Sequence, residues 1–543
     1  MSLLTSACAV DRIRASNRIG LFLTLCFAMF TAACGGGGGS VPTPPPPTGN
    51  FTNASLKGQY AFSMSGSDIN GEFLARVGSF TADGNGGITG GIEDVNSAQG
   101  GQETLPYTNS AYSIQADGRG VINLTNETGT LKFSVTLLSA TQGLIVQTDQ
   151  SLSATTSGTF VLQNPSAFTA SAVSGNYVFD FSGLDFSSSS TGVPDSIVGQ
   201  FAANGNNGIT SGVLDQNNDT NLVTAAPFTG ASYQMDPVNG PTFGRGTVTI
   251  VADGTTYNYA FYVVNGSRLR MIEINANALT VGDAVAQGSV PTTNAGFNGN
   301  FAFLATGSST SGALTEIGRF TADGNGGLNS IFADVNDFGQ VGSLPNGSLS
   351  GVSYSIDQTF AGTGRGTMTF TDANLGTFQL VFYLTSASGG VIQDVSGGIV
   401  ADGSFQLQTG APFTQAGLAG DFGFNFSGIS SNNDTLATAE EDFVGHLTLS
   451  SAATNNVSGA VDFSEFSSNQ GVFLNVVVSG TGLTIGGDGT TSAGTRNTLS
   501  LKLNSSPSST INFVPYIVDS QHIFVAGTDD TRVISGVITL QNP

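Results

Sequence analysis

Tyr60, Phe62 and Met64 occupy alternate positions in "GQYAFSMSG", with small or polar residues between them. A period of two is the mark of a β-strand with one buried face. The same alternation returns at Tyr177, Phe179 and Phe181 and again at Phe422, Phe424 and Phe426. Downstream of the first strand the chain reads "LARVGSFTA", "ITGGIEDVN", "AYSIQA", "GVINLT", "LKFSVTLLS", "GLIVQT" and "GTFVLQ". These are short β-type runs punctuated by Gly, Asn and Asp, so the segment predicts eight strands joined by turns. No long stretch carries the 3.6-residue period of an amphipathic helix.

That unit is repeated. "LKGQYAF" (Leu56–Phe62), "VSGNYVF" (Val173–Phe179), "FNGNFAF" (Phe297–Phe303) and "LAGDFGF" (Leu418–Phe424) share one pattern. "SGTFVLQNP" closes the first copy and "SGVITLQNP" the last. The period exceeds the roughly 20–50 residues of solenoid repeats, so each copy is a whole domain with its own core. The expected domains are 54–165, 172–289, 295–413 and a diverged 416–543. Even-numbered antiparallel strands can close into an up-and-down barrel, which removes the sheet edges. The fold class is therefore all-β: four tandem antiparallel domains, each an eight-stranded up-and-down β-barrel, with a β-sandwich as the alternative. The repeats resemble calycin-type barrels in architecture and carry no signature motif of that group.

Two recurring features are candidate sites. "GSFTADGNGG" at Gly78–Gly87 returns as "GQFAANGNNG" and "GRFTADGNGG". Asp-Gly favours a tight turn, and Asp83, Asn85, Asp323 and Asn325 also have the alternation of a weak calcium loop. Copy two carries Asn204 in place of Asp83, and copy four lacks the motif. No other metal site and no cofactor is expected. The second feature is an acid ending strand three, at Asp94, Asp215, Asp334 and Asp462, with an arginine opening strand five, at Arg119, Arg245, Arg365 and Arg496. The chain has only 15 Lys and Arg, so four at one position imply a structural role. Within one barrel these two positions lie at opposite mouths, which makes Asp83 the expected partner of Arg119. The opposite mouth carries long, variable loops, at Ser65–Phe73, Asn96–Asn109, Gly183–Ser196 and Asn217–Ala231. Such loops on a repeated scaffold are where recognition is expected.

Composition narrows the partners. Net charge is -23, which disfavours nucleic acid and anionic membrane surfaces. All three cysteines, Cys8, Cys26 and Cys34, precede the repeats, so the domains have no disulfides. Three arginines followed by the apolar run Ile19–Ala33 read as a signal peptide, residues 1–33. The run ends in Thr31-Ala32-Ala33-Cys34, which resembles the lipobox of bacterial lipoproteins. That resemblance implies lipidation of Cys34, and Gly35 behind it favours sorting to the outer membrane. A Gly- and Pro-rich tether, 34–53, follows. The expected location is the cell envelope, periplasmic or surface-exposed.

Catalytic sets are sparse. Both histidines, His446 and His522, lie in copy four, and no Gly-x-Ser-x-Gly, phosphate loop or HExxH occurs. "EEDFVGH" (Glu440–His446) reads as a solvated loop entering a strand. The expectation is not an enzyme but a lipid-anchored envelope protein, held to the membrane by its N-terminal lipid. It would have a structural or adhesive role toward an unknown protein or glycan, through the variable loops. A small-ligand-binding barrel array is the alternative, and a glycoside hydrolase working through paired carboxylates is more distant.

Overall fold

The computed structural model describes residues 49–543, apart from 69, 99–100, 150–153, 188, 190–191, 346, 431–439, 467–470, 487–495 and 506–507. The signal peptide, Cys34 and most of the tether lie outside the described residues.

Each copy is an antiparallel barrel whose first and last strands pair. The register places Phe62 opposite Phe160, Phe179 opposite Ala284, Phe303 opposite Phe405 and Phe424 opposite Ile538. Barrels two and four are closed ladders of eight strands. In barrels one and three the fourth strand is split, into Gly101–Pro106 and Ser110–Ile114, and into Gln340–Leu344 and Leu349–Ile356. Each break falls at a Leu-Pro, where proline has no N–H to give to the ladder. Barrel one still closes through Gly87–Ala111 and Ile88–Ser110, and barrel three through a single bridge, Gly327–Ser353. Parts of the expected variable loops are therefore strand: Gly101–Pro106 in copy one and Leu222–Met235 in copy two.

The alternating aromatics fill the barrels. Tyr60 stacks on Phe80, Tyr177 on Phe201 and Phe301 on Phe320, all with ring centroids within 5.3–5.6 Å. The cavity inside barrel three measures about 30 Å³, the scale of a water rather than a ligand. The glycine opening each "GSF"-type motif has a packing reason. Gly199 sits under the Phe179 ring, and a Cβ there would lie 2.4 Å from Phe179 Cζ and 2.6 Å from the Val213 carbonyl oxygen. Gly78 stands in the same relation to Phe62.

The barrels also have apolar outer faces, and through these they form a ring. Ala61 and Val77 of barrel one pack on Ala260, Tyr262 and Val264 of barrel two. Val178 and Val198 of barrel two meet Val381 and Tyr383 of barrel three. Ala302 and Ile317 of barrel three meet Tyr516 and Phe524 of barrel four. Val444 of barrel four returns to Leu138, Leu144 and Val146 of barrel one. The terminal glutamines repeat this cycle. Gln163 Nε2 donates to the Val263 carbonyl at 2.7 Å, Gln287 to Leu384 at 2.6 Å and Gln408 to Ile517 at 2.7 Å. Gln541 closes the circle by donating to Leu137 at 2.7 Å. The recurring end motif thus joins each barrel to the next.

Replacing Gly199 by Ala should push the Phe179 ring out of place at a cost of about 1–3 kcal/mol, the usual penalty of overpacking. Chemical denaturation against wild type measures it, and an unchanged midpoint would contradict the packing described.

Candidate functional site

The recurring Asp and Arg meet, but between barrels. Strand alternation turns Asp94 outward, away from its own core and toward barrel two. There Arg245 donates Nε and Nη2 to the two Asp94 carboxylate oxygens, both at 2.8 Å, and Tyr262 OH adds a third bond at 2.7 Å. Arg365 grips Asp215 in the same fork, at 2.8 and 2.7 Å, with Tyr383 OH at 2.6 Å. Arg496 pairs with Asp334, which also accepts from Tyr516 at 2.7 Å. Asp94 and Asp215 are each 0% exposed as side chains.

This corrects the expected pairing of Arg119 with Asp83. Arg119 instead donates to Asp117 at 2.9 Å and to Asn475 of barrel four at 3.0 Å. The opposite-mouth argument holds inside one barrel and fails because the next barrel brings its arginine alongside. Asp462 accepts from the Asn475 backbone N–H at 2.6 Å.

The calcium candidates form turns. Asp83 Oδ1 accepts the N–H groups of Asn85 and Gly87 at 2.6 and 2.9 Å, and Asp323 does the same with Asn325 and Gly327 at 2.7 and 2.9 Å. These bonds hold both carboxyls below the usual range. Neutral Asn204 makes the same two bonds, at 2.8 and 3.0 Å, so the turn needs an acceptor and not a charge. "EEDFVGH" is not a solvated loop: Glu440–Leu449 is a strand in which Glu441 and Asp442 are buried.

The chemistry that sequence reasoning missed lies at the loop-bearing ends. The mouth of barrel two opens as a cavity of about 590 Å³, lined by Asp185, Asp195, Gln216, Asn218, Tyr257 and Glu273, with further Asn and Thr residues. Strand two brings Asp195 in and strand seven ends on Glu273. Gln216 Nε2 donates to both Asp195 oxygens at 2.9 and 3.0 Å, and Tyr257 OH fixes the Gln216 carbonyl at 2.6 Å. Thr280 Oγ1 donates to Glu273 Oε2 at 2.7 Å, while Glu273 Oε1 is buried without a partner. Asp185 accepts from Ser187 Oγ and Asn218 at 2.8 and 2.9 Å. Burial pushes Asp195 up to about 7 against the opposing Gln216 bond. Burial also pushes Glu273 up to about 8, against the Thr280 bond and with help from the Asp195 charge.

A second cavity, about 550 Å³, lies where the ends of the first-to-second-strand connections converge. Phe73 of barrel one, Leu184 of barrel two, Phe338 of barrel three and Ile429 of barrel four all line it. Asp195 borders both spaces.

No family model and no curated protein matches the chain. Similar solved structures include transferrin binding protein B. The double mutant from Haemophilus parasuis Hp5 is 10% identical over 74% of this chain and 83% of that chain, with a TM-score of 0.17. The isotype 1 protein from serogroup B Neisseria meningitidis is 8% identical over 74% and 84%, with a TM-score of 0.19. At those TM-scores the likeness carries nothing further to this chain.

Three outcomes follow. Arg365→Ala should strip a buried carboxylate of its partner and cost about 3–5 kcal/mol in chemical denaturation. Melting in excess calcium should match melting in chelator, since the loop carboxylates are already satisfied by backbone N–H. Stability should also depend on pH with a defined sign. Below about pH 4 folded and unfolded chains both hold the Glu273 proton. Between there and about 8 only the folded site keeps it, so Glu273 costs stability as pH rises, and the loss levels off above that value. Glu273→Gln should flatten the decline in melting temperature from pH 5 to pH 8.

Proposed function

We propose that the chain is a lipid-anchored cell-envelope binding protein whose four barrels act as one rigid platform. Cys34 carries the anchor, and the Gly/Pro tether holds the platform off an outer membrane. The platform binds a protein or glycan on its loop-bearing side. One observation carries this reading: residues from all four barrels line a single axial cavity at that end, with the mouth of barrel two beside it. Ring packing fixes the relation of these loops to one another, and preorganisation cuts the entropy lost on binding. The packed interior of barrel three argues against an array of internal ligand sites.

A glycoside hydrolase is the second reading, favoured by Asp195 and Glu273 sharing one cleft with carboxyls pushed up to about 7 and about 8. Binding is preferred because the Gln216 amide engages both oxygens of Asp195, which leaves no lone acceptor poised as nucleophile.

Residues 49–543, applied to glycan and protein arrays, should give a discrete set of hits. Substitutions at Phe73, Phe338 or Ile429 should remove those hits without changing the melting temperature. Turnover of a glycan hit, abolished by Asp195→Asn, would replace the binding reading with the hydrolase.

A further inference from the structure

Buried carboxylates at the loop-bearing mouths are balanced differently from barrel to barrel. In barrel one, Glu93 pairs with Arg76 at 3.1 Å and also accepts from Asn126 at 2.9 Å. In barrel four, Glu441 pairs with Arg532 at 2.8 Å. Barrel three buries Glu316 and Asp394 beside a space of only about 30 Å³, and each is pushed upward by burial. Barrel two differs from all three. Asp185, Asp195 and Glu273 face one open cavity, and no Lys or Arg lines it. Glu273 is 1% exposed and Asp195 3%, so water does not replace the missing cation. Glu273 Oε1, on the cavity wall, has no hydrogen-bond partner.

A buried carboxylate is stabilised by a paired, hydrogen-bonded cation, and a lone oxygen at the wall of a cavity is the place for one to bind. We propose that the mouth of barrel two binds an organic cation, a primary amine or guanidinium, against Glu273 and Asp195. The surrounding Asn and Thr groups accept or donate to the rest of that ligand. This rests on the binding reading above and names the ligand class of that site. The cation can be a free small molecule or a basic side chain of a protein partner, and both present the same group. On binding, Glu273 gives its proton to solvent and pairs with the ligand as a carboxylate.

Barrel one suggests the decisive variant. Arg76 stands two residues before Gly78 on strand two, and Ile197 stands two before Gly199. Both follow the inward alternation, so Ile197→Arg supplies barrel two with the internal cation that barrel one already has.

Titration calorimetry of the full chain in detergent, at pH 7 in two buffers of different ionisation enthalpy, tests the proposal. The probes are L-arginine, cadaverine, D-glucosamine and the peptide Gly-Arg-Gly, with D-glucose and calcium chloride as controls. Cationic probes should bind with release of a proton, and the controls should not bind. Glu273→Gln should weaken binding at least tenfold and abolish proton release, while keeping the Thr280 bond and the fold. Ile197→Arg should abolish binding. Preference for the tripeptide over arginine would point to a protein source, and the reverse to a small molecule; either supports the site. Absence of binding by every cation, equal binding of glucose, tighter binding of calcium, or full affinity in Ile197→Arg would each overturn it. Array hits alongside silent calorimetry would sink this inference and leave the binding platform standing.

Discussion

A buried carboxylate gripped by the arginine of the next barrel is the constraint on which this molecule turns. Asp94 and Asp215 have no access to water, so each must be fully bonded or it would destabilise the fold. A guanidinium fork and a tyrosine hydroxyl supply three bonds to each. Those partners come from a different barrel, so each acid is satisfied only when two barrels dock in one orientation. Apolar packing at the same faces adds area but little direction. The ion pair therefore sets the angle between barrels, and the angle sets whether the fourth barrel can reach the first.

Ring closure in turn creates the only features with chemical potential that the repeats share as a group. A single barrel of this kind is a packed object with turns at one end and loops at the other. Docked in a circle, the loop ends of four barrels enclose one axial cavity. Asn96 of barrel one donates to the Glu273 carbonyl at 2.7 Å, so the wall of the barrel-two cavity is braced by its neighbour. The loop-bearing site is thus a property of the ring as much as of the second barrel.

Much of the fold was legible in the sequence. Alternation at Tyr60, Phe62 and Met64 gave the inward face, and the repeated end motifs gave the closing strand pair. The ring was not read, although its signal was present. "YAFYVV" at 259–264 and "LVFYL" at 380–384 are continuous apolar runs, which mark strands buried on both faces. Reading them for one face alone left Tyr262 and Tyr383 without a role and sent Arg119 to the wrong acid. The site was less legible still. Asp195 and Glu273 lie far apart in sequence, on strands two and seven, and only barrel closure brings them to one cavity. Their importance comes from what is missing around them, a basic residue, and no local motif records that.

The fourth joint shows how far the design can vary. A ring of four consecutive barrels has three joints between sequence neighbours and one between its ends. At that last joint Thr136 stands where the others have tyrosine, paired across the strand with Arg119. Arg119 turns to its own Asp117, and Asp462 is satisfied by a backbone N–H. Closure is held instead by Leu138, Leu144, Val146 and Val444, and by bonds along the axis. Ser157 donates to Asn425 at 2.7 Å and Thr155 to Asp442 at 2.7 Å. Three joints of fixed angle already bring the ends together, so the last one needs adhesion more than direction. That is why the fork could be lost there and nowhere else, and why the diverged barrel is the one that closes the circle.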